Sequence, residues 1–327
     1  MLRMDGFTFH PAASPEEAVR LWHAEDGAAY IAGGTDLLPN LKHRIVRHKR
    51  LVGLQGALPS GWTVEDGQVV IGAGTTLSTL ATCTELPAVA KAASLVAGPQ
   101  LRNMGTLGGN VMLDTRCLFL NQSEHWRKSL GHCLKAEGTW CHVVGGPKTC
   151  VATQSSDTVP ALMAHGAMLR VLGRGGSKDI SLAGLFKFDG ITNHDPKLLE
   201  KGDLITHVVV PLPPADHRAS YDKLRTRGAI DFPQLSVAVA GRFEGFGDSC
   251  VATELTVVIG AVNPRPQEVK GIGKFAGRTL DDATIAEIGE LVQKRTRPQA
   301  SVHGDPAWRR MMAKVTVERA LKRLREG

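Results

Sequence analysis

The chain has 327 residues, 43% of them hydrophobic and 22% charged, and a net charge of +7 from 39 Lys and Arg against 32 Asp and Glu. That length allows two or three domains, each with its own core. The basic residues are scattered apart from local knots at 42–50 and near the C-terminus, and aromatics make up 5%, so composition argues against nucleic acid as a partner. No run approaches the ~20 apolar residues that span a bilayer, and the first residues lack the apolar core of a signal peptide. A cytoplasmic location without membrane contact, and with reduced thiols, is therefore expected. Cys83 and Cys250 read as buried small hydrophobes.

Ser14-Pro15-Glu16-Glu17 is a capping box with proline at the first helical position, predicting a helix to about Glu25. Tyr30-Ile31-Ala32 is a short strand feeding the turn Gly33-Gly34-Thr35-Asp36. Val69-Val70-Ile71 is a buried strand followed by Gly72-Ala73-Gly74-Thr75. Ser78 is expected to cap a helix that continues, with an interruption at Pro87, toward Val96. After a long irregular stretch, a helix through Ala161–Met163 and strands at Leu169–Leu172 and Leu204–Val210 follow. Pro211-Leu212-Pro213-Pro214 marks a domain boundary, dividing the chain into 1–213 and 214–327. Beyond it the pattern gives strands near Leu235–Phe243 and Thr253–Val262, then helices at about Asp281–Lys294 and Pro306–Arg325. In the last helix Trp308, Met311, Met312, Val315, Leu321 and Leu324 share roughly one face, which reads as core. Strands, glycine turns and helices that alternate in this way signal an α/β or α+β domain.

Two glycine-rich turns carry chemistry. In Ala32–Pro39 the adjacent Gly33 and Gly34 let backbone N–H groups converge on an anion such as a pyrophosphate, with no Cβ in the way. Thr35 and Asp36 can bond the cofactor or brace the turn. Asn103-Met104-Gly105-Thr106-Leu107-Gly108-Gly109-Asn110 is a second such turn, and together they can hold one dinucleotide from both sides. Neither is the Rossmann fingerprint, and the chain has no P-loop and no H-E-x-x-H.

Residues from about Asp114 to Ser156 break the rhythm and gather Cys117, Cys133, Cys141 and Cys150 at spacings x15, x7 and x8. A structureless stretch beyond ~15 residues is uncommon in a compact domain unless functional. The spacing fits no common ferredoxin or zinc-finger pattern. Four thiolates can ligate zinc or an iron–sulfur cubane, His125, His132 and His142 are close enough in sequence to substitute, and unpaired thiols are the other alternative.

The series Ala32–Pro39, Ile71–Leu77 and Gln100–Val111, with Tyr221–Arg225, Ile230-Asp231-Phe232-Pro233 and Gly260–Pro266, resembles the FAD-binding subunits of molybdenum hydroxylases over nearly the whole chain. The resemblance implies an α+β fold: a two-lobed FAD-binding domain of the PCMH type over 1–213, then a C-terminal domain of antiparallel sheet and helices. It implies FAD contacts from Tyr30, Ile31, Ala32, Gly33, Gly34, Thr35, Asp36, Leu37, Leu101, Thr106, Gly109, Asn110, Asp114, Asp157 and Lys223. One departure narrows it. The Ser-Asp pair that usually follows the Gly-Gly-Asn turn closely is displaced here to Ser156-Asp157 by the cysteine-bearing insertion at 114–156. Such an insertion resembles the branch of 4-hydroxybenzoyl-CoA reductases, in which it carries a 4Fe-4S cluster. That branch implies all four cysteines as ligands and reduced ferredoxin as electron donor. It also implies a molybdenum-cofactor large subunit, a 2Fe-2S small subunit and a dimer of heterotrimers, reductively dehydroxylating the aryl thioester. No catalytic acid, base or nucleophile is expected on this chain. An oxidising flavin subunit of the xanthine or CO dehydrogenase type, and a zinc-stabilised scaffold without enzymatic role, are the alternatives.

Overall fold

The computed structural model describes residues 3–187, 190–192 and 194–327. The first lobe comprises β1 (Thr8–Pro11), α1 (Pro15–His23), β2 (Ala28–Ile31), α2 (Leu37–Lys42) and β3 (Arg50–Gly53). Its strands form a parallel sheet in the order β1-β3-β2. The capping box forms: Ser14 Oγ accepts from the Glu17 N–H at 3.2 Å, and Glu17 reaches back to the Ala13 N–H at 2.9 Å.

The second lobe begins with β4 (Trp62–Glu65) and β5 (Gln68–Gly72). Four short helices follow: α3 (Leu77–Leu80), α4 (Pro87–Ser94), α5 (Pro99–Arg102) and α6 (Leu107–Val111). The cysteine-bearing insertion holds α7 (Glu124–Ser129). The lobe resumes with α8 (Thr158–Ala164), β6 (Met168–Gly173), β7 (Gly176–Ser181), α9 (Leu182–Leu185) and β8 (Leu204–Pro211). Its antiparallel sheet runs β4-β5-β8-β6-β7. The helix expected from Ser78 is two helices. Thr76, not Ser78, is the N-cap of α3, accepting from the Thr79 N–H at 3.2 Å. Pro87 opens α4, because a residue without an N–H fits a helix start and not its interior.

The C-terminal part carries β9 (His217–Leu224), β10 (Leu235–Glu244), β11 (Val251–Gly260), β12 (Gln267–Glu268) and β13 (Arg278–Thr279), then α10 (Asp282–Arg295) and α11 (Pro306–Glu326). The antiparallel order is β12-β11-β10-β9, with β13 on β11. This sheet is buried on both faces. Val237, Val239, Val257 and Ile259 face α10 and α11, whereas Tyr221, Ala238 and Val258 join the core of the second lobe. Alternation along a strand assigns every second residue to one side, so the same sheet closes two cores.

The face predicted for α11 is rotated. Trp308 is 39% and Met311 48% exposed, while Arg309, Ala313, Val317, Ala320, Leu321 and Leu324 are buried. Three carbonyls explain the rotation. Arg309 donates to the oxygens of Gln234 (2.7 Å), Gln299 (2.9 Å) and Ala261 (2.7 Å), and buried acceptors without a donor are costly. Among the described residues no helix is long and apolar enough to cross a membrane.

Burial pushes the imidazoles of both His165 and His194 down to about 4. Unfolded histidine takes up its proton near pH ~6.5. Between that pH and about 4 the unfolded chain therefore binds more protons than the folded one, so stability is lost as pH falls through this window. Denaturation midpoints measured across it should fall steadily, and His165→Gln should make the slope shallower. An unchanged slope in that variant would show that His165 is not held neutral.

Candidate functional site

Three glycine-bearing segments meet where the two lobes face each other. A Cβ on Gly33 would lie 1.8 Å from the Met104 carbonyl oxygen, so only glycine lets the first turn rest on the second. The second turn is stitched to the 72–77 segment by Leu77 N–H to Gly105 O (2.9 Å), Leu107 N–H to Thr75 O (2.8 Å) and Gly108 N–H to Ala73 O (2.9 Å). Thr106 caps α6 by accepting from the Gly109 N–H at 3.2 Å. Most donors of the second turn are thus spent within the protein.

The first turn differs. Among the described residues no protein acceptor meets the N–H groups of Gly33, Gly34 and Thr35. Gly34 holds φ +69°, a left-handed conformation that aims successive N–H groups to one side. Three half-buried, unspent backbone donors in one turn fit a diphosphate. A side chain on Gly34 would meet Leu38 and Ile31, so this glycine answers to backbone conformation and packing and not to space for an anion.

The remaining residues expected to touch a cofactor are mostly satisfied by protein partners. The Tyr30 hydroxyl donates to the Gly202 carbonyl at 2.6 Å and fastens the lobes together. Ile31, Ala32 and Leu37 are half-buried around the first turn, and Leu101 is exposed beside it with Met104. Asn110 Oδ1 accepts from the hydroxyls of Ser156 and Thr158, each at 2.7 Å. Asp114 accepts from Lys135 Nζ at 2.5 Å. Asp36 pairs with Arg116, and its other oxygen accepts from Asn40 Nδ2 at 3.0 Å.

Asp157 and Lys223 meet each other at 2.9 Å, with side chains 3% and 1% exposed. The Tyr221 hydroxyl donates to Asp157 at 2.7 Å, and Lys223 also donates to the Leu95 carbonyl at 2.9 Å. Tyr221 and Lys223 lie two residues apart on β9, hence on the same face of the sheet, and that face covers the second lobe. Burial pushes the Asp157 carboxyl up, opposed by the charge of Lys223. It pushes the Lys223 ammonium down, opposed by Asp157. Arg116 and Thr158 were not singled out from sequence, while Ser156 entered only through the Ser156-Asp157 pair and Tyr221 only through the 221–225 motif. No local signal marks Arg116 or Thr158, whose partners are distant in sequence.

The four cysteines, all buried, line one small, partly open cavity. Tight turns present them. The Cys133 carbonyl accepts from the Ala136 and Gly138 N–H groups, and Cys141 exchanges bonds with Gly145 and Gly146. Ala152 N–H points at the Cys150 sulfur at 3.4 Å. Burial pushes the Cys117 thiol up to about 11 and raises that of Cys150, so as free thiols they stay protonated. His142 Nε2 is engaged by the His132 carbonyl at 2.6 Å and its ring lies against Phe119, which makes it a wall of the cavity. Among the described residues no three His, Cys, Asp or Glu side chains form a group that could hold a metal ion as they stand.

This cavity is tied to the first turn. Arg116, immediately before Cys117, bonds Asp36 and donates to Asn40 Oδ1 at 3.2 Å, and its guanidinium stacks 5.0 Å above the Phe232 ring. Glu124 of α7 pairs with Arg44 and Arg47 at 2.7 Å each, and Leu118 N–H reaches Ser301 O at 2.8 Å. The insertion therefore touches both the first lobe and the C-terminal part.

A family described as the FAD binding domain in molybdopterin dehydrogenase matches residues 5–213, and one described as the CO dehydrogenase flavoprotein C-terminal domain matches 219–324. The chain is 27% identical to the aldehyde oxidoreductase FAD-binding subunit PaoB of Escherichia coli K12, covering 98% of this chain and 99% of that one. It is 27% identical to the carbon monoxide dehydrogenase medium chain of Afipia carboxidovorans, covering 97% and 96%. Reconstituted CO dehydrogenase from Oligotropha carboxidovorans superposes with a TM-score of 0.76 at 26% identity, covering 99% of both chains.

Gly33→Ala should drive the two turns apart and leave the purified chain with little FAD; full flavin occupancy in that variant would remove the turn from the site. Asp157→Ala leaves a buried ammonium unpaired and should cost about 3–5 kcal/mol in denaturant titrations. Asp157→Leu with Lys223→Met should cost less than that single change. A single-variant loss below about 1 kcal/mol, the range of an exposed pair, would mean that water reaches the pair.

Proposed function

The chain belongs to the FAD-binding subunits of the molybdenum hydroxylase family, and from that premise we propose that it serves an oxidising enzyme as its flavin and iron–sulfur electron-transfer subunit. The relatives it resembles over nearly full length are named for aldehyde oxidation, CO dehydrogenation and xanthine dehydrogenation. None of these names supports the reductive dehydroxylation of 4-hydroxybenzoyl-CoA that the insertion suggested, and they favour oxidation. A zinc-stabilised scaffold that binds no flavin does not accord with the FAD-binding family.

The observation that carries the reading is the cavity lined by four buried cysteines and joined through Arg116 to the open donors of the first turn. Four cysteines lining one cavity match the ligand number of a 4Fe-4S cluster as well as that of zinc, and the cysteine-bearing insertion is what favours the cluster. When bound, such a cluster supplies one-electron chemistry and FAD both one- and two-electron chemistry. The chain's own part is positional. Gly33, Gly34 and Thr35 offer donors to the diphosphate, and Leu101 and Met104 offer apolar surface beside it. Asn110, held by Ser156 and Thr158, and the Asp157–Lys223 pair fix the second lobe against the C-terminal sheet. Substrate chemistry belongs to a molybdenum-cofactor large subunit, and a 2Fe-2S small subunit completes the complex.

A second reading keeps the opposite direction of flow, with reduced ferredoxin as donor and an aryl-CoA thioester dehydroxylated on the large subunit. The cysteine-bearing insertion, with Trp126 and Trp140 exposed on its surface, is what favours it.

Anaerobic mixing of the purified complex separates the two. Flavin absorbance should bleach with an aldehyde or purine offered to the molybdenum subunit. Bleaching by reduced ferredoxin, together with turnover of 4-hydroxybenzoyl-CoA, would install the second reading. Cys133→Ser should lose most of the iron and retain FAD; unchanged iron would mean that Cys133 is not a ligand.

A further inference from the structure

The first turn presents three unspent N–H groups, yet the very next side chain is a carboxylate. Asp36 is 37% exposed at its side chain and sits at the mouth of a site that must receive a dianion. Alone it would repel that ligand, because like charges a few ångströms apart in a partly buried site interact strongly. Both of its oxygens are occupied, one by Arg116 and one by Asn40. Among the described residues Arg116 is the only cation paired with it, and its own side chain is 10% exposed.

Arg116 does not come from the first lobe. It stands at the neck of the cysteine-bearing insertion, where its backbone exchanges two hydrogen bonds of 2.7 Å with Thr153. Cys117 and Cys150 lie just inside that neck. Whatever fixes the cysteines fixes the neck, and the neck fixes the guanidinium over Asp36.

We propose that Arg116 is a positioning residue for flavin binding: it neutralises Asp36 beside the Gly33–Thr35 donors, and it makes the affinity for FAD depend on the folded state of the cysteine segment. The inference rests on the reading that this turn receives the FAD diphosphate. Coupling between two sites is reciprocal, so FAD must in turn favour the folded cysteine segment.

The test is FAD affinity, read by quenching of flavin fluorescence on deflavinated chain at low and moderate salt. Arg116→Gln should weaken binding about tenfold, within the usual range of such couplings, and more at low salt. Asp36→Asn should bind as tightly as wild type or tighter, since the repelling charge is gone. Arg116→Gln combined with Asp36→Asn should recover to within about threefold of wild type, a return that a merely structural loss would not give. If Arg116→Gln fails to fold, Asp36→Asn still decides, because a carboxylate that binds FAD directly would make that variant weaker. Weaker binding by Asp36→Asn, or no recovery in the double variant, overturns the proposal. Wild-type chain that binds no FAD would overturn the underlying reading as well.

Discussion

The backbone of Gly33 lies so close to the Met104 carbonyl that a single methyl group would not fit between them, and the whole candidate site depends on that approach. It brings a turn of the parallel-sheet lobe against a turn of the antiparallel-sheet lobe. The second turn is in turn locked to the 72–77 segment by three backbone hydrogen bonds, and a Cβ on Gly108 would sit 3.0 Å from that of Ala73. The outcome is a division of labour between similar motifs. One turn spends its donors on the 73–75 backbone and on the start of α6, and the turn resting on it keeps its own donors open.

A second constraint acts from the C-terminal sheet. Its two buried faces close two cores at once, so β9 has to carry polar groups into the second lobe wherever its alternation puts them. Tyr221 and Lys223 are those groups, and Asp157 is what makes their burial tolerable. A pair of this kind adds little net stability but penalises any other docking of the sheet, since each partner left alone is an uncompensated charge. The second lobe is thereby held against the sheet in one arrangement.

Much of this was legible in the sequence. The capping box, the strand that feeds Gly33-Gly34 and the strands expected near 235–243 and 253–262 announce themselves through local chemistry, and the ordered glycine motifs announce the family. What was hidden depends on partners far away in sequence. Asp157 and Lys223 were expected at the flavin from the family resemblance and Asp36 from its place in the first glycine turn; that each has a protein partner is what only the fold supplies. Arg309 rotates α11 for the sake of three carbonyls from other elements, which no helical periodicity encodes. The break between α3 and α4 was half visible at Pro87, but Thr76 and Ser78 are equally good caps on paper and only the geometry of the turn chooses. Cysteine spacing by itself matched nothing; the fold gathers all four around one cavity because two tight turns and a two-stranded neck bring distant thiols together.

The central claim, that a flavin and a four-iron cluster share this chain, is tested most directly by counting iron, acid-labile sulfide and zinc per FAD on protein purified without air. The account predicts about four iron and four sulfide for each flavin, as a cubane requires, with no zinc. Flavin accompanied by zinc, or by no metal at all, would contradict it and return the cysteine segment to a structural role.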